Sequence, residues 1–240
     1  MILSHAHKFL FIKTRKVAST SIEIALSKHC GPDDIITPVS PKDEIFRYQM
    51  GVLPRNYAAD PSAERTYAEA VASGDMGRIE SVYWDMHPRL TFWNHIGAKE
   101  IHDRVGDAVW NRVCKFSVIR HPYDYVVSMA YFRLTGRTKP SMIARWRMLA
   151  DVIRHAPRNI DLLSIDGRIA IDKVLRYENL PGELTQLAGS IGVDISDQLP
   201  RAKADSRPRS ATVDSVLDPF SRWLIRRRWM QEFEMFSYSS

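Results

Sequence analysis

Short apolar runs alternate along this chain with stretches whose apolar residues recur every three or four positions. The run Phe9 to Ile12 predicts a strand, and a basic, hydroxyl-rich bend after it leads into a helix over about 19–29. Gly31-Pro32 ends that helix, since glycine suits the C-terminal turn and proline cannot continue it. Residues 33–60 read as a long connection. PSAERTYAEAVAS (61–73) predicts a helix with Pro61 near its start and Gly74 after its end, and 33–93 as a whole is poorly periodic. Further on, 97–110 predicts a helix despite Gly106, Lys115 to Ile119 a buried strand, and the residues from Pro122 to about Leu134 another helix. A basic helix over 141–155 ends at Pro157, Asp166-Gly167 marks a turn, and Lys173 to Tyr177 reads as a strand before a helix over 181–191. The stretch 193–210 is polar. A last helix, about 219–235, carries apolar residues on more than one side and is expected to be buried.

Strands alternating with helices imply an α/β fold, here a single domain over 1–240 with a mainly parallel sheet. The 33–93 region is its variable excursion, a natural place for an acceptor-binding surface. Ligands in such sheets bind at the carboxyl ends of strands, where the 9–29 and 115–134 units deliver their polar residues.

Composition changes this picture little. Hydrophobic residues make up 45% and charged residues 26% of the chain, which excludes wholesale disorder. A net charge of +6 is compatible with an anionic ligand but does not select one. Arg226, Arg227 and Arg228 point in different directions on a helix, so they make no basic face for nucleic acid. Cys30 and Cys114 lie far apart without metal-binding spacing, which suggests a reducing compartment. No signal peptide is evident, and no apolar run approaches the roughly 18–20 residues that span a bilayer. The expectation is a soluble cytoplasmic protein.

The candidate chemistry begins in the first bend. A strand feeding a tight loop at a helix N-terminus is a ready-made anion site, because the first helical amides lack intrahelical partners and the dipole favours negative charge. Lys13, Arg15 and Lys16 add charge there, and Ser19, Thr20 and Ser21 add hydroxyls. The layout is that of a P-loop without its signature, for Ile12 to Ser21 contains no glycine. In the second unit Arg120 offers forked donors at a strand end, and Ser128 a hydroxyl on the following helix.

KxASTS at Lys16–Ser21 resembles the 5′-phosphosulfate loop of sulfotransferases that use 3′-phosphoadenosine 5′-phosphosulfate, in the carbohydrate and bacterial members written PKTASTS or PKTGGTS. Arg15 replaces the usual proline and Val17 the usual threonine. KFSVIRHPYDYVVSMAYF (115–132) is similar to that family's 3′-phosphate signature, an arginine at a strand end and a serine eight residues on, here Arg120 and Ser128. NHIGAKEIHDRVGDAVW, LRYENL and the ending EFEMFSY follow the family's general run. The resemblance spans nearly the whole chain and is weakest across 33–90.

It implies a three-layer, P-loop NTPase-like sulfotransferase architecture. It also implies a sulfuryl transfer from that donor to a hydroxyl of a carbohydrate or glycoconjugate, with no metal required. Lys16, Val17, Ala18, Ser19, Thr20 and Ser21 would hold the donor's 5′ end, and Arg120 and Ser128 its 3′-phosphate. Apart from the resemblance, Lys203, Arg207 and Arg209 stand in the polar stretch after the core's helices, where they are placed to close over the donor. Lys16 would stabilise charge growing on the leaving oxygen, and His95, which aligns with a histidine of the family, would take the acceptor's proton, with His87 second. Glu23, a turn into the first helix, reads as a structural partner rather than a base. Two rival classes remain: a nucleotide-dependent phosphoryl-transfer enzyme, and a non-catalytic binder of an anionic ligand.

Overall fold

The computed structural model describes residues 1–134, 141–195 and 207–239. The chain opens on β1 (Ile2–Ser4), turns, and returns at once as β2 (Phe9–Phe11). So short a connection allows only antiparallel pairing, with Leu3 opposite Leu10. The helix α1 (Ser19–Ser27) follows, and then β3 (Ile35–Ile36) adds to the free edge of β1, also antiparallel. Three helices come next, α2 (Pro41–Gln49), α3 (Pro61–Ser73) and α4 (Met76–Met86), with a 3-10 turn at His87–Arg89 and then α5 (Ala98–Trp110).

The strand β4 (Cys114–Ile119) joins β2 in parallel, as a crossover of this length permits. The helices α6 (Pro122–Arg133), α7 (Met142–His155) and α8 (Ile160–Leu163) precede a small hairpin of β5 (Ser164–Ile165) and β6 (Arg168–Ile169). The strand β7 (Lys173–Arg176) then pairs in parallel with β4. The helices α9 (Leu180–Ile191), α10 (Val213–Val216), α11 (Pro219–Arg228) and α12 (Met230–Met235) complete the described chain.

The main sheet runs β3-β1-β2-β4-β7. Its core strands are parallel, but the N-terminal hairpin makes it a mixed sheet rather than the mainly parallel one expected. Side chains alternate across it as a pleated strand requires. Phe9, Phe11, Phe116 and Val118 face one cluster with Ile22 and Leu26 of α1 and Leu184 and Leu187 of α9. Leu10, Ile12 and Ile119 face the other with Tyr67, Ile79, Ile101 and Ile160. Helices therefore cover both faces. A third cluster joins α6, α7 and the C-terminal helices around Trp229.

Three expectations need correction. Residues 33–60 are not a plain connection, since they hold β3 and α2, and α4 follows the expected helix at 61–73 within the poorly periodic stretch; Tyr57, Tyr67, Val71 and Ile79 enter the main core. The last helix is broken at Trp229 (φ −101°, ψ 21°), whose ring is fully buried, while Phe220, Trp223, Met230 and Met235 are exposed rather than buried. The helix over 97–110 is interrupted at Gly106, where φ 75° and ψ 165° suit a residue without Cβ. No helix among the described residues is long and apolar enough to cross a membrane.

Candidate functional site

The bend between β2 and α1 is shaped by residues from across the fold. Lys16 (φ 62°) and Ala18 (φ 58°) are both left-handed, a conformation that costs a non-glycine residue about 1 kcal/mol. What holds them is a set of side chains that claims five consecutive carbonyls. Ser117 Oγ donates to Ile12 O at 2.7 Å, His95 Nδ1 to Lys13 O at 3.0 Å, and Ser19 Oγ to Thr14 O at 2.7 Å. Asn159 Nδ2 donates to Arg15 O at 3.0 Å, and Arg120 Nη1 to Lys16 O at 2.9 Å.

With its carbonyls committed to the protein, the bend leaves amides at its mouth. Ala18, the residue before α1, provides no side-chain cap, and among the described residues no acceptor is bonded to the amides of Val17, Ala18, Ser19 or Thr20. Left-handed residues beside a helix start form a concavity of N–H donors suited to an oxyanion. The side chain of Val17 lies in the core, so only its backbone is available to a ligand. Ser19, Thr20 and Ser21 are themselves largely buried.

The three cations of the bend are sorted by their surroundings. Lys13 is 2% exposed and its Nζ lies 2.6 Å from Glu23 Oε2. The other carboxylate oxygen of Glu23 accepts from the Met1 amino group at 3.0 Å and from Thr37 Oγ1 at 3.1 Å. Burial alone would raise the Glu23 pKa, but Lys13 and the amino group outweigh it and hold the carboxyl down at about 2. Lys13 thus belongs to a buried ion cluster, with Glu23 as its structural partner. Lys16 instead reaches toward α6, its Nζ 4.0 Å from the centre of the Phe132 ring.

The second unit meets the first through Arg120. Pro122 occupies the first turn of α6 and His121 caps it, accepting from the Tyr123 amide. Arg120 leaves β4 just before this cap. Its Nε donates to Asp124 Oδ2 at 2.5 Å, and its guanidinium carbon lies 4.1 Å over the Tyr177 ring. Asp124 also pairs with Arg207 through its other oxygen. Burial pushes the Asp124 pKa up, but Arg120 and Arg207 together bring it below the usual value. Asp124, Ser128 and Phe132 follow at intervals of four and so share one stripe of α6. Arg120 and Phe132 both touch Lys16, so Ser128 sits between two residues that contact the bend. Ser128 makes no side-chain hydrogen bond to any described residue, and it is 7% exposed.

His95 meets the bend at the Lys13 carbonyl and is itself left-handed (φ 62°). Its bond to a carbonyl requires a proton on Nδ1 and leaves the lone pair on Nε2. Burial, then the charges of Lys13 and Arg15, push its pKa down to about 3, so the ring is neutral at neutral pH. His87 packs against the Tyr83 and Trp84 rings in the α4 region.

The structure therefore ties Arg120 and His95 to the bend through the Lys16 and Lys13 carbonyls, links Arg207 to it through Asp124, and sets Ser128 on the α6 stripe between Asp124 and Phe132, whereas Lys203 lies outside the described residues. Asn159, Ser117, Asp124 and Phe132 also shape the bend, and sequence reasoning passed over them; Tyr177, read from the sequence as a support behind the site, lies under the Arg120 guanidinium. Only Asp124 left a readable trace, as the partner four residues after Arg120. Among the described residues no group of three His, Cys, Asp or Glu is placed to hold a metal. Compared with family models, curated proteins and solved structures, the chain matches none.

Proposed function

We propose that the chain is a sulfotransferase that moves a sulfuryl group from 3′-phosphoadenosine 5′-phosphosulfate to a hydroxyl of an acceptor, a carbohydrate or glycoconjugate. The observation that carries this reading is the bond from Arg120 to the Lys16 carbonyl at 2.9 Å. It joins an amide-lined oxyanion concavity to a separate guanidinium, as a nucleotide charged at both its 5′ and 3′ positions would need. Phosphoryl transfer would explain the concavity but gives the second unit no task. In this scheme the acceptor oxygen attacks sulfur in line while the bond from sulfur to the bridging oxygen of the 5′-phosphate breaks. The acceptor's proton passes to His95 Nε2, and 3′-phosphoadenosine 5′-phosphate leaves. Lys16 stabilises the negative charge that grows on the bridging oxygen, an interaction stronger in the transition state than in the ground state.

Calorimetry decides between this and its rivals. The wild type should bind 3′-phosphoadenosine 5′-phosphate at least about tenfold more tightly than adenosine 5′-phosphate, in line with one charge-assisted hydrogen-bonding site. Arg120→Ala should erase most of that difference, and Arg207 still partners Asp124 in the variant. Equal affinity of the wild type for the two nucleotides sinks the 3′-phosphate assignment. Tighter binding of ATP with Mg²⁺ would point to phosphoryl transfer. Steeply salt-dependent binding with no nucleotide preference would point to a simple anion binder.

The role given to His95 has its own test. A base whose pKa in the free protein lies near 3 stays unprotonated across the mildly acidic range. The profile of kcat/KM should then be flat between about pH 5 and 7 rather than falling through the ordinary histidine pKa of about 6.5. A limb centred there moves the base elsewhere, with His87 next.

A further inference from the structure

Of the five carbonyl clamps, one grips the bend at two points. Asn159 Oδ1 accepts from the Arg15 amide at 2.8 Å while its Nδ2 donates to the Arg15 carbonyl at 3.0 Å. The side chain is 3% exposed. This pairing fixes the orientation of Arg15 immediately before the left-handed Lys16. Asn159 is in turn held from the C-terminal helix. Glu232 of α12, 4% exposed, accepts from the Ile160 amide at 3.1 Å; burial pushes its pKa up to about 7, and the backbone amides of Ile160 and Asn159 act against that rise. The neighbouring Gln231 accepts from Arg158 Nη1 at 3.0 Å. Two adjacent residues of α12 thus grip 158–160, and Asn159 passes that constraint to the bend.

We propose that Asn159 is a positioning residue for the 5′-phosphate end of the nucleotide, and that α12 sets it through Glu232. The inference rests on the nucleotide reading of the bend given above. Releasing Arg15 frees the peptide that leads into Lys16, so the amides at 17–20 no longer converge on one point. Arg120, between β4 and α6, and Ser128, on α6, are anchored independently of Asn159 and keep their place.

The test compares three nucleotides on one protein by calorimetry: 3′-phosphoadenosine 5′-phosphate, adenosine 5′-monophosphate and adenosine 3′-monophosphate. In Asn159→Ala the first two should weaken at least tenfold while the third changes less than twofold. Asn159→Asp keeps the shape, removes the donor to the Arg15 carbonyl, and should give the same pattern; it serves as the test if the alanine variant does not fold. Glu232→Ala should reproduce the pattern at smaller amplitude. Loss of affinity for all three nucleotides alike marks Asn159 as merely structural and overturns the proposal. Unchanged affinities in a wild-type background that does respond to the 5′-phosphate overturn it while leaving the bend's assignment intact. A wild type that binds the bisphosphate no better than adenosine 3′-monophosphate removes that assignment and this proposal together. Normal behaviour of Glu232→Ala beside a weakened Asn159→Ala overturns the part assigned to α12.

Discussion

Lys16→Ala should lower turnover by about two to three orders of magnitude and weaken 3′-phosphoadenosine 5′-phosphate binding by less than about tenfold, the range seen when one stabiliser of transition-state charge is removed. The asymmetry follows from what Lys16 contributes at each end. Its carbonyl accepts from Arg120 whatever the side chain, so the bend keeps its shape. Alanine tolerates the left-handed backbone here no worse than lysine does, as Ala18 shows two residues later. Only the ammonium is lost. Its partner in catalysis is charge that appears on the bridging oxygen as the bond to sulfur breaks, so binding of the product nucleotide is largely spared. Release of that nucleotide from the donor in water offers a measurement that needs no identified acceptor. Turnover and affinity falling by the same factor would show that Lys16 binds the ground state and has no special role in the reaction.

The second large effect lies behind the bend, in stability. Glu23→Ala leaves the Lys13 ammonium, 2% exposed, without its carboxylate 2.6 Å away. Removing one partner of a buried ion pair destabilises by about 3–5 kcal/mol, because a charge is left in a poorly polarisable interior. For a chain of this size that corresponds to a fall of about 10 °C in Tm. Replacing both residues by apolar ones of similar volume should recover much of the loss; a double variant no better than the single one would show that the pair is not the cause.

The same groups set the response to acid. The Glu23 carboxyl is held at about 2 in the fold against 4.5 ordinarily, so its contribution is complete above the ordinary value and is lost as pH falls toward 2. His95 is kept neutral down to about 3, whereas the unfolded chain protonates it from 6.5 downward, which also favours unfolding in acid. Both signs agree: the urea midpoint should decline on acidification, first through the histidine and then more steeply through the carboxylate. A midpoint unchanged between about pH 7 and 4 would contradict both assignments.

Much of the fold was legible where local chemistry and burial agree. The helix at Pro61–Ser73 has the bounds read from the sequence because Asp60 caps the Ser62 amide, proline starts it and Gly74 takes the left-handed turn after it. The strand at Cys114–Ile119 was read from Lys115 onward, because Phe116, Val118 and Ile119 make a short, mostly apolar stretch that stops at Arg120-His121-Pro122. The helix α2 did not, although it is no less ordered. Its hidden face carries Glu44 and Arg47, an ion pair with both side chains 0% exposed, and a periodicity of apolar residues cannot reveal a face that is charged. The strands β1 and β3 are three and two residues long, too short for alternation, and exist through their pairing with each other and with β2. The final helix misled because its apolar residues are split between the Trp229 core and solvent.

The candidate site divides in the same way. From the sequence alone came the order of basic and hydroxyl groups after Phe11, the arginine at the end of β4 and the serine eight residues on, since these are local patterns on a strand end or a helix start. Which lysine serves the mouth of the bend and which is buried with Glu23 was decided by tertiary structure. So was the shape of the bend itself. The clamps on Ile12, Lys13, Arg15 and Lys16 come from residues 82 to 144 positions away, on β4, just after it, just before α8 and in the loop of His95. A left-handed lysine and alanine without glycine are unfavourable locally, and only contacts made by the completed fold can hold them.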